Sequence, residues 1–160
     1  MRHDQRAFSL IELLIVVAII LIIAAIAIPN FLRSRVAANQ ASAIESLRVI
    51  SSAEVTFSTT YGAGFSSSLT YLAPPDSGQP TTSTAAGLID SVLAGGYKSG
   101  YSFFYTPTLI DAGTTNGFTI NANPSTPGQT GGVYYYTDQS FVITANSTVP
   151  ASSTDSAVGD

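Results

Sequence analysis

Residues 7–28 read Ala7-Phe8-Ser9-Leu10-Ile11-Glu12-Leu13-Leu14-Ile15-Val16-Val17-Ala18-Ile19-Ile20-Leu21-Ile22-Ile23-Ala24-Ala25-Ile26-Ala27-Ile28. From Phe8 onward this is a run of 21 residues in which only Ser9 and Glu12 are polar. About 20 apolar residues are enough to cross a bilayer as a helix. A carboxyl group inside such a run costs a few kcal/mol or more and is normally paired. Glu12 is therefore the first candidate functional residue, and its partner is the question the rest of the chain has to answer.

Upstream, residues 1–7 are short and polar, with Arg2 and Arg6 set against Asp4. The positive-inside bias reads them as a cytoplasmic flank, with the remainder crossing the membrane; Arg33 and Arg35 beyond the run oppose that bias. A permanent anchor is one reading of the run. A secretory signal peptide is another, because Ala25-Ile26-Ala27 has the small-x-small form of a cleavage site. Two features oppose cleavage there. A signal peptide gains nothing from Glu12, and the helical pattern continues past Ala27.

That continuation passes Pro29, where a proline removes one hydrogen bond and predicts a kink. Beyond it, Val36, Gln40, Ala43, Leu47, Ile50, Glu54, Phe57 and Tyr61 recur at spacings of three and four, an amphipathic stripe. Arg33, Arg35, Asn39, Ser42, Glu45, Arg48 and Ser52 lie between them, and Glu45 can pair with Arg48. Gly62 and Gly64 end the pattern. One helix over 8–61 is about 80 Å long at 1.5 Å per residue. Its first half must be covered by lipid or by copies of itself.

Residues 65–84 are rich in Ser, Thr, Pro and Gly and predict a loop. The stretch 86–94 predicts a two-turn helix stopped by Gly95-Gly96. Residues 101–106, 118–122, 133–137 and 141–145 then read as strands of an antiparallel meander, which needs the helix stripe to cover one face. Tyr101, Phe103, Tyr105, Phe118, Tyr134 and Tyr136 are expected to serve packing. From Asn146 on, small and polar residues predict a frayed tail.

The chain has 160 residues, a net charge of −4 and no cysteine. That excludes disulfides, thiolate metal sites and cysteine nucleophiles. The basic footprint of a nucleic-acid binder is missing as well, so no nucleic-acid partner is expected. The outer acids Asp90, Asp111 and Asp138 have no histidine near them in sequence and sit in no HExxH, GxSxG or phosphate-loop pattern. No catalytic residue and no cofactor is assigned. Asp138 could give a calcium ion one ligand where six to eight are wanted, so no metal is assigned either.

The segment from Phe8-Ser9-Leu10-Ile11-Glu12 through Ile20, with Ala24-Ala25-Ile26-Ala27-Ile28-Pro29 and the Arg33/Arg35 pair, resembles the N-terminus of type IV pilins and type II secretion pseudopilins. The resemblance is dense over Ala7 to Arg35 and only architectural beyond it. It implies cleavage between Ala7 and Phe8 by a membrane-embedded prepilin peptidase, and N-methylation of Phe8. Glu12, fifth in the mature chain, would then neutralise the N-terminal ammonium of a neighbouring subunit. Two costly groups in a dry helix bundle satisfy each other only at one stagger, which sets register. Two positions depart from the family. Ala7 stands where a glycine usually precedes the cut. Leu21 stands where a glycine often helps the helix unwind, and glycine is the poorer helix former by about 1 kcal/mol.

The expected architecture is α+β: a long N-terminal helix, membrane-spanning in its first half and amphipathic in its second, packed on a small antiparallel sheet of three or four strands. The expected organisation is a cleaved leader (1–7), a transmembrane and assembly helix (8–29), the amphipathic half-helix (30–61), a globular head of loop and sheet (62–145) and a flexible tail (146–160). The expected function is that of a subunit polymerising into a type IV pilus-like filament. A secretion pseudopilin or minor pilin is the alternative within the class. A secreted or membrane-anchored binding domain that never polymerises is the alternative outside it. The resemblance implies as partners other copies of the chain, the prepilin peptidase, an inner-membrane platform and an assembly ATPase. It places the chain in the inner membrane before assembly and in an extracellular pilus or periplasmic pseudopilus afterwards.

Overall fold

The computed structural model of the protein describes residues 9–111 and 114–159, with 109–111 described in backbone only. Its first element, α1, is a 52-residue helix, Leu10–Tyr61. Residues up to Arg35 form one compact unit and Val36 onward a second.

In the first unit every described side chain is exposed except Ala24, which is half-buried. An 18-residue window of this helix has mean hydropathy 3.3 and none of it is buried, so it is long and apolar enough to cross a membrane. The helix continues through Pro29. Proline leaves one carbonyl on the preceding turn without its amide donor.

In the second unit the helix buries Ala43, Leu47, Ile50, Ala53, Glu54 and Phe57. This is the stripe the spacing predicts. Glu45 and Arg48 approach to 3.8 Å on the exposed side, both well solvated, which is a contact of little energetic weight.

The sheet covering that stripe has six strands in sequence order, all antiparallel: β1 (Tyr97–Lys98), β2 (Tyr101–Asp111), β3 (Thr114–Pro124), β4 (Tyr134–Asp138), β5 (Thr144–Asn146) and β6 (Ser156–Ala157). Three or four were expected. The four predicted strands correspond to β2–β5, and the two extra ones are two-residue edges too short to show a period. Side chains alternate across a strand. Tyr101 and Phe103 of β2, Phe118, Ile120 and Ala122 of β3, and Tyr135 of β4 therefore turn inward and are buried. Tyr105 packs against the same core.

The register corrects one expectation. Ala122 pairs with Tyr135, so the middle tyrosine of Tyr134-Tyr135-Tyr136 enters the core and its two neighbours take the other face. Three like residues in a row carry no period, and only the pairing decides among them.

β2 and β3 are also longer than expected, running through Pro107 and Gly117. Phe103 N–H points to Gly96 O on the β1 side. Pro107 has the same parity, so its missing N–H belongs to the open edge of β2 and takes no bond from β3. That placement also blunts an edge that β1 covers only at its start.

Between helix and sheet, residues 65–89 cap one side of the core. A 3-10 turn, Leu69–Leu72, buries both leucines. The two-turn helix expected over 86–94 is a single turn, α2 (Ser91–Ala94), with Asp90 as its N-cap. The amides of Ala86, Gly87, Leu88 and Ile89 instead donate to carbonyls of Tyr71, Leu72 and Ala73, which holds this stretch extended.

The frayed tail expected after Asn146 is instead folded back on the sheet. β6 pairs with β5, and Ala151 is buried. Asn121 Nδ2 donates to Ala151 O at 2.8 Å, and Thr144 Oγ1 donates to Ser152 O at 2.6 Å. Asp155 accepts from Ser152 N and from Asn146 Nδ2, closing the loop between the two strands. Composition alone could not show this, because the bonds use short polar side chains that are equally common in disordered tails.

Candidate functional site

Glu12 sits at the third position of α1, with Ser9 as the residue before the helix begins. Its Oε2 accepts the Ser9 backbone N–H at 2.9 Å. Ser-x-x-Glu ahead of an apolar run is the capping-box pattern, in which the glutamate satisfies an orphan donor of the first turn. The signal is present in the sequence as Ser9-Leu10-Ile11-Glu12. The carboxylate is thus oriented along the helix start by its own chain. Oε1 makes no hydrogen bond among the described residues, and Glu12 is exposed. A negative group at the positive end of a helix is also favoured by the macrodipole.

Ala7 and Phe8, the expected cleavage and methylation sites, lie outside the described residues. Pro29 lies within α1, and Arg33 and Arg35 are exposed one to two turns beyond it. Around Glu12 the surface is made of Leu10, Ile11, Leu13, Ile15 and Val16, all exposed. A carboxylate with one free oxygen on an uncovered apolar helix can do two things: cap its own first turn, and accept a cation delivered from outside the chain.

A second carboxylate lies on the amphipathic stripe. Glu54 is fully buried. Its Oε2 accepts Ser66 N at 2.8 Å and its Oε1 meets Ser66 Oγ at 2.6 Å. Tyr105 closes the group by donating its hydroxyl to Ser66 O at 2.7 Å. Burial pushes the Glu54 carboxyl above the ordinary carboxylate range, and the two bonds from Ser66 and then the Tyr105 hydroxyl offset this only in part. Tyr105 is also pushed up, by burial and then by the neighbouring Glu54 charge. The signal for Glu54 was present: an acid at a core-facing position of a 3.6-residue period must be paired or neutral.

Comparison with known proteins falls on the N-terminal segment. Residues 2–28 match the family described as the prokaryotic N-terminal methylation motif. Residues 2–28 thus carry the N-terminal methylation segment, on a chain whose architecture is α+β with a long N-terminal helix. In particular, it is similar to the type IV major pilin protein PilA of Myxococcus xanthus (strain DK1622), with 50% identity over 53 residues. Those residues are 33% of this chain and 24% of the relative, so the match spans about a quarter of that protein's length. No solved structure matches the chain.

Proposed function

We propose that the protein is a structural subunit that polymerises through its N-terminal helix into a type IV pilus-like filament. The observation that carries the reading is the first unit, a helix of mean hydropathy 3.3 over 18 residues with none of that window buried. Soluble chains rarely expose a contiguous apolar surface of that extent to water. Before assembly the lipid of the inner membrane covers it, with the N-terminus cytoplasmic. In the filament, copies of the same helix do. A prepilin peptidase cuts between Ala7 and Phe8, Phe8 is N-methylated, and an inner-membrane platform with an assembly ATPase moves the subunit from one environment to the other.

Glu12 supplies the specificity of that exchange. Apolar helices in contact have little to fix their stagger, and a carboxylate matched to a partner's ammonium fixes it. Oε2 is held by Ser9, so Oε1 is the oxygen that receives the neighbour's Phe8 amine. A bend at Pro29 adjusts the helix path between lipid-like and aqueous surroundings. The alternative cut after Ala27 is disfavoured because it falls inside α1, which runs on to Tyr61.

The test is Glu12→Ala in the producing cell. The expected result is a protein present in the membrane at normal level, with filaments absent or greatly reduced by electron microscopy of sheared material. Filaments at wild-type number and length from Glu12→Ala would overturn the pairing role.

A further inference from the structure

We propose that Glu54 and Ser66 form a proton-operated latch that sets how tightly the segment 64–72 closes over the core of the head. Ser66 is fully buried and has one hydroxyl proton. Three acceptors lie within its reach: Glu54 Oε1 at 2.6 Å, Ser68 O at 3.1 Å and the Tyr105 hydroxyl oxygen at 3.3 Å. The Tyr105 proton is committed to Ser66 O at 2.7 Å, and Glu54 Oε2 is occupied by Ser66 N in either state.

When Glu54 is ionised, the Ser66 hydroxyl must turn to Oε1, and Ser68 O keeps only the Tyr71 amide at 3.0 Å. When Glu54 is neutral, its own acid proton, on Oε1, donates to Ser66 Oγ. The Ser66 proton is then free for Ser68 O, the carbonyl of the residue that caps the 3-10 turn. The neutral form therefore has one hydrogen bond more, in a chain Glu54→Ser66→Ser68, and no buried charge. A buried polar group with all its partners is rigid, and the same group left charged and short of partners is costly.

Among the described residues no cation pairs with Glu54. The groups acting on Glu54 are Ser66 from the loop and Tyr105 from β2. Phe118 of β3 stacks on the Tyr105 ring. On α1 itself the residues a turn away are Ile50, Ser51, Phe57 and Ser58. Of the two basic residues in the head, Lys98 pairs with Asp90 and Arg48 lies exposed beside Glu45. Tyr105 is shifted upward, so it stays protonated while Glu54 titrates. Because the folded protein holds the Glu54 proton more tightly than the unfolded chain does, this contribution to stability is complete below the ordinary carboxylate pKa. It is lost as pH rises through the raised value. The ionised carboxylate is relieved by admitting water, and the cover that can move is Phe65–Ser68. That stretch is attached through the Phe65 amide to Thr115 O at 2.8 Å and the Phe65 ring edge on Phe118.

The experiment uses the full chain in detergent micelles from about pH 4 to about pH 9, the interval between ordinary and deeply buried glutamic acids. Infrared spectroscopy follows the carbonyl band of a neutral, buried carboxylic acid. Hydrogen exchange, corrected for intrinsic pH dependence, follows the amides of residues 65–72. The expected result is a band lost on raising the pH, and a loss of amide protection with the same midpoint. Glu54→Gln presents an amide donor to Ser66 Oγ and an acceptor to Ser66 N, so it mimics the neutral acid. It should lack the band and stay protected throughout. Protection independent of pH in the wild type, or the same pH-dependent loss in Glu54→Gln, overturns the latch. Should Glu54→Gln fail to fold, the wild type decides: coincident midpoints carry the proposal, and separate ones refute it.

Discussion

Gly131 lies against the ring of Tyr101. A Cβ built there would overlap the Tyr101 hydroxyl and come within 2.6 Å of Cζ and 2.8 Å of Cε2. Tyr101 is fully buried and its hydroxyl donates to Val133 O at 2.8 Å, so it cannot swing aside without losing that bond. Gly131→Ala therefore combines overpacking, about 1–3 kcal/mol, with a lost buried hydrogen bond, about 0.5–1.5 kcal/mol. Gly131 is not in the left-handed region, so alanine also gains about 0.4–1 kcal/mol by restricting the unfolded chain. The net expectation is destabilisation by about 0.5–4 kcal/mol, centred near ~2 kcal/mol.

The same substitution in a Tyr101→Leu background meets no ring, and only the favourable entropy remains, so it should stabilise by about 0.4–1 kcal/mol relative to Tyr101→Leu alone. The assay is equilibrium urea unfolding of the full chain in non-ionic detergent, followed by tyrosine fluorescence. The double-mutant cycle gives the coupling directly. With a urea m-value of about 1–3 kcal/mol/M, the single substitution moves the midpoint by roughly 1 M. A Gly131→Ala cost that is the same in both backgrounds, or near zero in the wild type, would refute the assigned contact and with it the docking of the β3–β4 loop over Tyr101.

Pro107 keeps a donor off the open edge of β2, so Pro107→Thr should leave the monomer folded but raise its tendency to self-associate. Light scattering of the detergent-solubilised chain against concentration checks this, and unchanged scattering speaks against the edge assignment. Asp90 is held below the ordinary carboxylate value by its bond from Lys98 and then by the Leu93 amide. Its contribution is present above about pH 4 and lost as pH falls through the depressed value. Asp90→Asn should therefore flatten the acid limb of stability against pH, with unfolding curves at several pH values as the readout.

The helix was legible from the sequence because its signals are long-range and redundant. The apolar run, the stripe from Ala43 to Phe57 and the glycines that end it all point the same way. The strands were legible in number only for the four central ones, since β1 and β6 have two residues each and no period to detect. The expected strand stopped at Thr106, and a sequence does not say which side of a strand the missing amide of Pro107 faces; pairing with β3 settles it. Tyr134-Tyr135-Tyr136 misled for the related reason that a run of like residues has no parity. The tail after Asn146 folds through side chains of Asn121, Thr144 and Asp155 far apart in sequence or small in size, which composition reads as disorder. At the candidate site, Glu12 stands out by its setting, and its bond to Ser9 is written in the four-residue pattern Ser9-Leu10-Ile11-Glu12. Glu54 was placed correctly on the buried face, and the consequence of a carboxyl at that position is clear only once Ser66 and Tyr105 are seen to close over it.

Every part of the assembly reading depends on a free amine at Phe8. Intact-mass and N-terminal peptide mass spectrometry of the chain recovered from its native membrane or filament tests this most directly. The account predicts a mature protein beginning with N-methyl-Phe8, residues 1–7 removed and Glu12 retained. A mature chain beginning at Ile28, or one still carrying Met1, would contradict it.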